Sequence, residues 1–187
     1  YVGGSETGRQ AGLSHTGSMS GPNEIYDGVF RQCGIIRATT ITELFDYALA
    51  LGTLPRPGGN RVIILTHSGG PGATAADSCG RAGLALPQLS PETLDKLKPM
   101  IPRTASTANP VDLTYNRDFA ESFFDIPDVL LSEKDADMLL AYILSPGSFA
   151  DRILKEMGVP EESIPLEREK LLKEHSRAFV SLTKRHP

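Results

Sequence analysis

Apolar positions in the first third of the chain form two helical patterns separated by a short apolar run. Residues 23–30 carry apolar side chains at helical spacing, and Gly34 stands where a C-terminal cap belongs. The run that follows, residues 34–38, predicts a short strand. The segment Thr40-Ile41-Thr42-Glu43 has the form of a capping box, and it predicts a helix that ends at Gly52.

The rest of the chain alternates between apolar runs of strand length and helical patterns. Val62-Ile63-Ile64-Leu65 is a continuous aliphatic run, which is typical of a strand buried on both faces of a parallel sheet. The glycine-rich segment 66–72 follows and leads into a helix to about Gly83. Further strands are predicted at 84–89, 109–113 (a strand or a loop) and 137–144, and further helices from Ser90-Pro91, around 119–131 and onward to Arg185. This alternation predicts an α/β fold with a doubly wound parallel sheet.

A segment rich in proline and glycine divides these two patterned regions. Residues 54–60 are the best candidate for a linker, so we expect one domain in residues 1–53 and a second in residues 61–187. The chain begins with Tyr1 and ends directly after a helical pattern, and we expect it to be an internal piece of a longer protein.

Composition excludes several classes of function. The 187 residues are 40% hydrophobic and 22% charged, with a net charge of -4 and no stripe of basic residues, so we expect neither nucleic acid nor an anionic membrane as partner. No apolar stretch approaches the roughly 20 residues of a membrane span. Cys33 and Cys79 have no metal-binding spacing, and free thiols favour a reducing, cytoplasmic setting.

One candidate site is the loop Gly69-Gly70-Pro71-Gly72, which lies between the buried strand and a helix. Ligands of open α/β sheets bind beyond the carboxyl ends of the strands, and glycines let backbone N–H groups approach a phosphate at a helix N-terminus. The hydroxyls of Thr66 and Ser68 add possible donors. The segment matches neither the dinucleotide-binding nor the P-loop pattern, so a tight turn without a ligand is an equally weighted interpretation.

The second candidate is a histidine in the glycine-rich segment Ser14-His15-Thr16-Gly17-Ser18. Imidazole titrates near pH ~6.5, so much of it is neutral and nucleophilic at physiological pH. A loop histidine is more often a surface residue than a nucleophile, and both interpretations stay open on this segment alone. We expect His175 and His186, in the charged terminal helix, to be solvated.

The order of these segments resembles the NDP-forming acyl-CoA synthetases, among them the ADP-forming acetate–CoA ligases. The resemblance runs from GSETGRQAGLSHTGSMSG through the strand that ends in THSGGPG to NPVD, and it is tightest at residues 3–37, 61–83 and 105–113. It implies a flavodoxin-like, three-layer α/β/α domain of the succinyl-CoA-synthetase type, with residues 1–53 as the end of one such domain and 61–187 as a second that lacks its last strand. The implied reaction is acyl-CoA + ADP + phosphate ⇌ carboxylic acid + CoA + ATP.

The resemblance also implies roles for individual residues. His15 would be the phosphorylated nucleophile, and the two loops would each bring a helix N-terminus to the phosphate. The implied phosphate-binding residues are Thr16, Gly17, Ser18, Ser68, Gly69, Gly70 and Gly72. Asn109 and Asp112 would give structural support, and His67 stands where relatives usually have Asn, as a neutral donor to the phosphate or as a second acceptor; we favour the donor.

The resemblance finally implies parts that this chain does not contain. The CoA-binding Rossmann domain and the ATP-grasp domain or subunit are both absent, so we expect this chain alone to be inactive and to bind neither CoA nor ADP tightly. The full enzyme would use ATP or ADP, Mg²⁺, CoA, phosphate and a small carboxylic acid, with no metal held here. Two alternatives are a non-catalytic acyl-CoA-sensing region of a lysine acetyltransferase, which would have no need of His15, and an FMN carrier, which would need aromatic residues near residues 66–72.

Overall fold

The computed structural model describes residues 7, 8, 10, 22–114, 121–143 and 146–186, with backbone alone for 146–149 and 153. The chain divides into two compact units, Tyr1–Arg56 and Pro57–Pro187. The division falls inside the predicted linker, residues 54–60.

Over residues 22–56 the first unit forms helices α1 and α2, which have the predicted caps. Helix α1 (Asn23–Gln32) ends before Gly34, whose φ of +67° is the left-handed conformation that glycine adopts easily. Helix α2 (Ile41–Thr53) begins at Thr40, whose hydroxyl accepts a hydrogen bond from the Glu43 N–H at 3.1 Å. The Glu43 carboxylate accepts from the Thr39 N–H at 2.7 Å, one residue before the usual partner, so the predicted capping box is confirmed with a shifted return bond.

The prediction of a strand at residues 34–38 is wrong. Residues 35–38 have no regular secondary structure, and the side chains of Ile35 and Ile36 are exposed. An apolar run becomes a strand only where a neighbouring strand accepts its hydrogen bonds, and the described residues of this unit provide none.

The second unit is built on a parallel sheet with helices on both faces. Its strands are β1 (Val62–Thr66), β2 (Val111–Asp112) and β3 (Met138–Tyr142), in the order β2-β1-β3. The helices, in chain order, are α3 (Gly69–Arg81), α4 (Pro91–Leu97), a π-helical turn (Glu121–Asp125), α5 (Ile126–Leu131), α6 (Pro146–Glu156), a 3-10 turn (Glu161–Ser163) and α7 (Ile164–Arg185). Both strand pairs are parallel, which confirms the predicted sheet.

The core lies on both faces of β1, whose five residues are all buried. On one face Ile63 and Leu65 pack with Leu97 of α4 and Leu130 of α5. On the other face Val62 and Ile64 pack against α3 through its buried and half-buried side chains (Ala75, Ala76 and Cys79). A continuous aliphatic run thus forms a strand covered on both faces, as predicted, and the three layers are those of a flavodoxin-like fold.

Two predictions in this unit need correction. The expected strand at 84–89 reduces to a single bridge between Ala85 and Arg61, because Pro87 has no N–H to continue a ladder. His175 and His186 are not simply solvated. The His175 ring lies edge-on to Phe123 with centroids 4.4 Å apart, and His186 Nε2 lies 2.9 Å from a carboxylate oxygen of Asp128.

Helices that could cross a membrane are absent from the part of the chain that the structure describes.

Candidate anion site at the N-terminus of helix α3

His67 and Ser68 connect the carboxyl end of β1 to α3, and the predicted glycine loop, residues 69–72, instead forms the first turn of that helix. Strand β1 lies in the middle of the described sheet, with β2 on one side and β3 on the other. The chain passes from β1 to β2 on one side and then returns to β3 on the other side. Residues 67–70 lie at the carboxyl end of β1, where open α/β sheets bind their ligands.

Thr66 and Ser68 fix the conformation of the loop. The buried Thr66 hydroxyl accepts from the Ser68 N–H at 3.1 Å and donates to the Ser68 carbonyl oxygen at 2.9 Å. Its donor capacity is therefore used within the loop, and Thr66 is not the ligand donor that the sequence suggested. Ser68 occupies the N-cap position of α3, but its exposed side chain makes no capping hydrogen bond.

The first turn of α3 offers two backbone donors. The N–H groups of Gly69 and Gly70 precede the first helical hydrogen bond, which runs from the Gly72 N–H to the Ser68 carbonyl oxygen at 3.2 Å. Pro71 has no N–H to offer. The first turn contains no acidic residue, and Ser68, Gly69 and Gly70 are all exposed. A two-residue patch of N–H groups thus faces solvent at the positive end of a 13-residue helix.

Gly72 has a packing role. A Cβ atom at this position would lie 2.9 Å from Thr66 Cγ2 and 3.5 Å from Pro110 Cβ, so glycine is what allows α3 to lie directly against β1 and the end of the preceding loop. Its N–H is committed to the helix. Gly72 is therefore required for packing and does not face a ligand. A Cβ on Gly70, by contrast, would meet open space.

His67 lies half-buried between β1 and the glycines. Burial lowers the pKa of His67 below 6.5, although the nearby negative charge of Asp112 partly offsets this effect. The ring is therefore neutral at pH 7. Its Nδ1 atom is buried and has no hydrogen-bond partner among the described residues.

Asp112 ends β2 directly beside this loop, in register with Thr66. Its Oδ1 atom accepts from the Thr114 N–H at 2.9 Å. A Cβ atom on Gly69 would lie 3.3 Å from its Oδ2 atom, so the carboxylate lies next to the first residue of α3.

The side chain of Asn109 is hydrogen-bonded entirely to the backbone. Its side-chain oxygen accepts from the Ile64 N–H at 3.0 Å, and its amide donates to the carbonyl oxygens of Val62 at 2.8 Å and Pro87 at 3.1 Å. These bonds continue the hydrogen bonding of β1 where β2 has not yet begun. Asn109 thus holds β1, the strand that leads to the site. Both N–H groups of its amide are used, so none is left to bind a ligand.

Tyr142 is the neighbour of this loop that the sequence analysis missed. It is the register partner of Thr66 on the β3 side and is 53% exposed. No local pattern could find it, because strand pairing between residues 76 positions apart is set by the sheet.

The other predicted loop lies outside the described residues. This applies to His15, the proposed nucleophile, and to Thr16, Gly17 and Ser18. Among the residues that are described, no group of three or more His, Cys, Asp or Glu side chains could hold a metal ion.

Comparison with known proteins shows similarity to CoA ligases. Residues 1–51 match the family described as the succinyl-CoA ligase like flavodoxin domain. The chain is 39% identical over 145 residues to subunit alpha of an ADP-forming acetate–CoA ligase II of Pyrococcus furiosus, covering 78% of this chain and 31% of the relative. It is 42% identical over 150 residues to an ADP-forming acetate–CoA ligase I of Archaeoglobus fulgidus, covering 80% and 21% respectively.

A solved structure of an acetyl-coenzyme A synthetase is also similar to this chain in three dimensions. The dinucleotide-forming acetyl-coenzyme A synthetase 1 of Ca. Korarchaeum cryptofilum, in complex with phosphate and ADP, superposes with a TM-score of 0.66 at 27% identity. The match covers 99% of this chain and 48% of that structure. The chain thus spans about a third or less of the two curated relatives, and about half of the solved one.

Proposed function

We propose that this chain is a part of an NDP-forming acyl-CoA synthetase, and that it carries and binds the phosphoryl group. The whole reaction would convert acyl-CoA, ADP and phosphate into a carboxylic acid, CoA and ATP. Among the relatives, those named for a substrate above act on acetate. Acetate is therefore the first acyl group to test.

The observation that carries the proposal is the uncapped N-terminus of α3. Two exposed glycine N–H groups point out of a helix end that has no side-chain cap and no acidic residue in its first turn. Such an end favours an anion by about 0.3–2 kcal/mol, depending on burial. The chemistry of the family supplies the anion, because phosphate enters the reaction and a phosphoryl group leaves it on ADP.

His15 is the proposed acceptor of the phosphoryl group. The phosphate oxygen displaces CoA from the acyl group, which gives an acyl phosphate. A neutral imidazole nitrogen of His15 then attacks phosphorus, the bond to the acyl oxygen breaks and the carboxylate leaves. Attack by an ADP oxygen on the phosphohistidine forms ATP and regenerates His15, so that one difficult transfer becomes two easier ones.

His67 is proposed as a neutral hydrogen-bond donor beside the bound phosphate. The lowered pKa of its ring supports this role, because a neutral imidazole has one N–H to donate at pH 7. A second acceptor would have to expose an unprotonated nitrogen to phosphorus. The Nδ1 atom of His67 is buried, which favours the donor role.

The remaining parts of the reaction are assigned to other modules. A CoA-binding domain and an ATP-grasp domain or subunit would bind CoA and the nucleotide with Mg²⁺, and the carboxylic acid would bind among these parts. The chain alone should therefore catalyse no turnover.

Phosphohistidine mapping tests the proposal. The chain is reconstituted with the CoA-binding and ATP-grasp modules and incubated with Mg²⁺ and ATP labelled at the γ-phosphate. Incorporation of an acid-labile, base-stable label is compared in the unsubstituted protein, His15→Ala and His67→Asn. We expect the label to disappear in His15→Ala and to persist in His67→Asn.

Three results would contradict this assignment. Label that persists in His15→Ala places the phosphoryl group elsewhere, and label lost only in His67→Asn makes His67 the acceptor. Ligase activity that survives in His15→Ala would reject the phosphohistidine route altogether. His175→Asn is the matched control, since His175 packs on Phe123 and should not change labelling.

A further inference from the structure

We propose that Asp112 regulates the anion site at the start of α3: the negative charge of its carboxylate partly compensates the positive helix end when the site is empty and weakens phosphate binding when the ligand arrives. This inference rests on the proposed phosphate site and adds a control on its affinity. The role proposed for Asp112 is therefore repulsion of the ligand, in place of the structural support expected from the sequence.

The position of the carboxylate carries the argument. Its Oδ2 atom would lie 3.3 Å from a Cβ on Gly69, the first residue of α3. Its Oδ1 atom accepts from the Thr114 N–H at 2.9 Å, which ties the carboxylate to the backbone two residues later. The side chain is thus fixed at the helix end and does not extend into solvent.

The sheet brings Asp112 to this position from a different strand. Thr66 and Asp112 are register partners on β1 and β2, so their side chains start from the same face of the sheet. Thr66 contacts α3, because its Cγ2 atom would lie 2.9 Å from a Cβ on Gly72. Asp112 is therefore the neighbour of Thr66 on the face that α3 covers.

The negative charge of Asp112 at this position affects phosphate binding. Helix α3 has no acidic residue in its own first turn, so Asp112 is the carboxylate that meets its positive end. A phosphate bound at Gly69 and Gly70 would lie close to that carboxylate, and like charges repel. His67, whose pKa burial lowers, adds no positive charge at pH 7 to offset the repulsion.

A limited affinity suits a site through which a phosphoryl group must pass. Two N–H groups at a helix end with no opposing carboxylate would hold a dianion more tightly and release it more slowly. The nearby charge of Asp112 partly compensates the positive helix end after the phosphate has left.

The test measures phosphate affinity in matched variants of the 187-residue chain. Inorganic phosphate is titrated at low ionic strength, and binding is followed from the ¹⁵N–¹H resonances of Gly69 and Gly70. The variants are Asp112→Asn, which can still accept from Thr114 N–H, and Asp77→Asn, which removes the same charge from a later, exposed part of α3. We expect Asp112→Asn to tighten binding roughly ten-fold, the size of one unit charge acting on a dianion about 5 Å away in water, and Asp77→Asn to change it less than two-fold.

The outcomes separate the two proposals. If the unsubstituted chain binds phosphate and Asp112→Asn binds it equally or more weakly, the role of Asp112 is rejected. The phosphate site itself is then retained. No saturable shift at Gly69 and Gly70 in any variant overturns both. If Asp112→Asn does not fold, Asp112→Ser, which keeps a short acceptor for Thr114, must show the same tightening; equal or weaker binding there rejects the inference.

Discussion

Helices α3 and α4 of the second unit begin in opposite ways. Helix α4 follows Ser90, whose side chain accepts from the Thr93 N–H, and it has Glu92 in its first turn. Helix α3 follows Ser68, which makes no side-chain cap, and its first two residues are glycines.

The buried carboxylate of Glu133 completes the cap of α4. It accepts from the Ser90 N–H at 2.9 Å and from the Ser90 hydroxyl at 2.8 Å, and Glu133 is only 6% exposed. The protein's own groups thus satisfy the N-terminal end of α4. The N-terminal end of α3 has only solvent and the nearby Asp112 beside it, and in our proposal it binds phosphate. The same N-cap residue type closes the start of α4 and leaves the start of α3 without a side-chain cap.

The largest expected effect comes from Glu133, which closes the α4 end. Burial acts to raise the pKa of Glu133, but the hydrogen bonds from Ser90 and Thr93 outweigh it and lower the pKa to about 2. The folded pKa is lower than the unfolded one, so the stabilisation is present above about pH 5 and is lost as the pH falls toward 2. Between pH 7 and pH 3 we expect the free energy of unfolding to fall by about 2 kcal/mol more in the unsubstituted chain than in Glu133→Gln.

Urea unfolding at the two pH values measures this difference. Glu92→Gln is the matched control, because Glu92 is exposed and pairs with Lys96 at the surface. An equal pH dependence in the unsubstituted chain and Glu133→Gln would show that the α4 end is not closed by a charged carboxylate.

A smaller effect is expected where α3 packs on β1. Gly72→Ala should destabilise the fold by about 1–2 kcal/mol, because the new Cβ meets Thr66 Cγ2 at 2.9 Å. Gly80→Ala, later in the same helix and with nothing within 4 Å, should stabilise by about 0.5–1 kcal/mol. Removing the contacted methyl in the double variant Thr66→Ser/Gly72→Ala should recover part of the loss. Chemical unfolding checks all three, and equal effects at Gly72 and Gly80 would reject the packing role.

The smallest effect compares the two N-cap serines directly. Ser90→Ala should cost about 1 kcal/mol, since it removes the cap of α4 and one hydrogen bond to Glu133. Ser68→Ala should change the free energy of unfolding by no more than a few tenths, because this side chain caps nothing. A cost at Ser68 as large as that at Ser90 would mean that the α3 end is closed as well.

Local chemistry made part of this structure predictable. The caps at Thr40 and Ser90, the cap glycine Gly34 and the doubly buried strand β1 all depend on residues close together in sequence. The glycine-rich segment directly follows the aliphatic run of β1 in the sequence. The candidate site at Gly69-Gly70 could therefore be recognised from the sequence.

The rest depends on contacts between distant segments. Residues 34–38 are apolar enough for a strand, yet no described strand pairs with them. The placement of Asp112 and Tyr142 on either side of Thr66 follows from the register of three strands, which no single segment encodes. His175 lies in the charged helix α7 and His186 directly follows it, but Phe123 and Asp128 give them partners from elsewhere in the unit.

The most direct test of the open helix end is a crystal structure of this chain grown with selenate, an anion whose anomalous scattering identifies it. We predict an anomalous peak within hydrogen-bond distance of the Gly69 and Gly70 nitrogens, and none at the Glu92 nitrogen of α4. A peak at both helix ends, or at Glu92 alone, would contradict the account. So would a Gly69-Gly70 end that stays free of selenate at concentrations that occupy other sites in the same crystal.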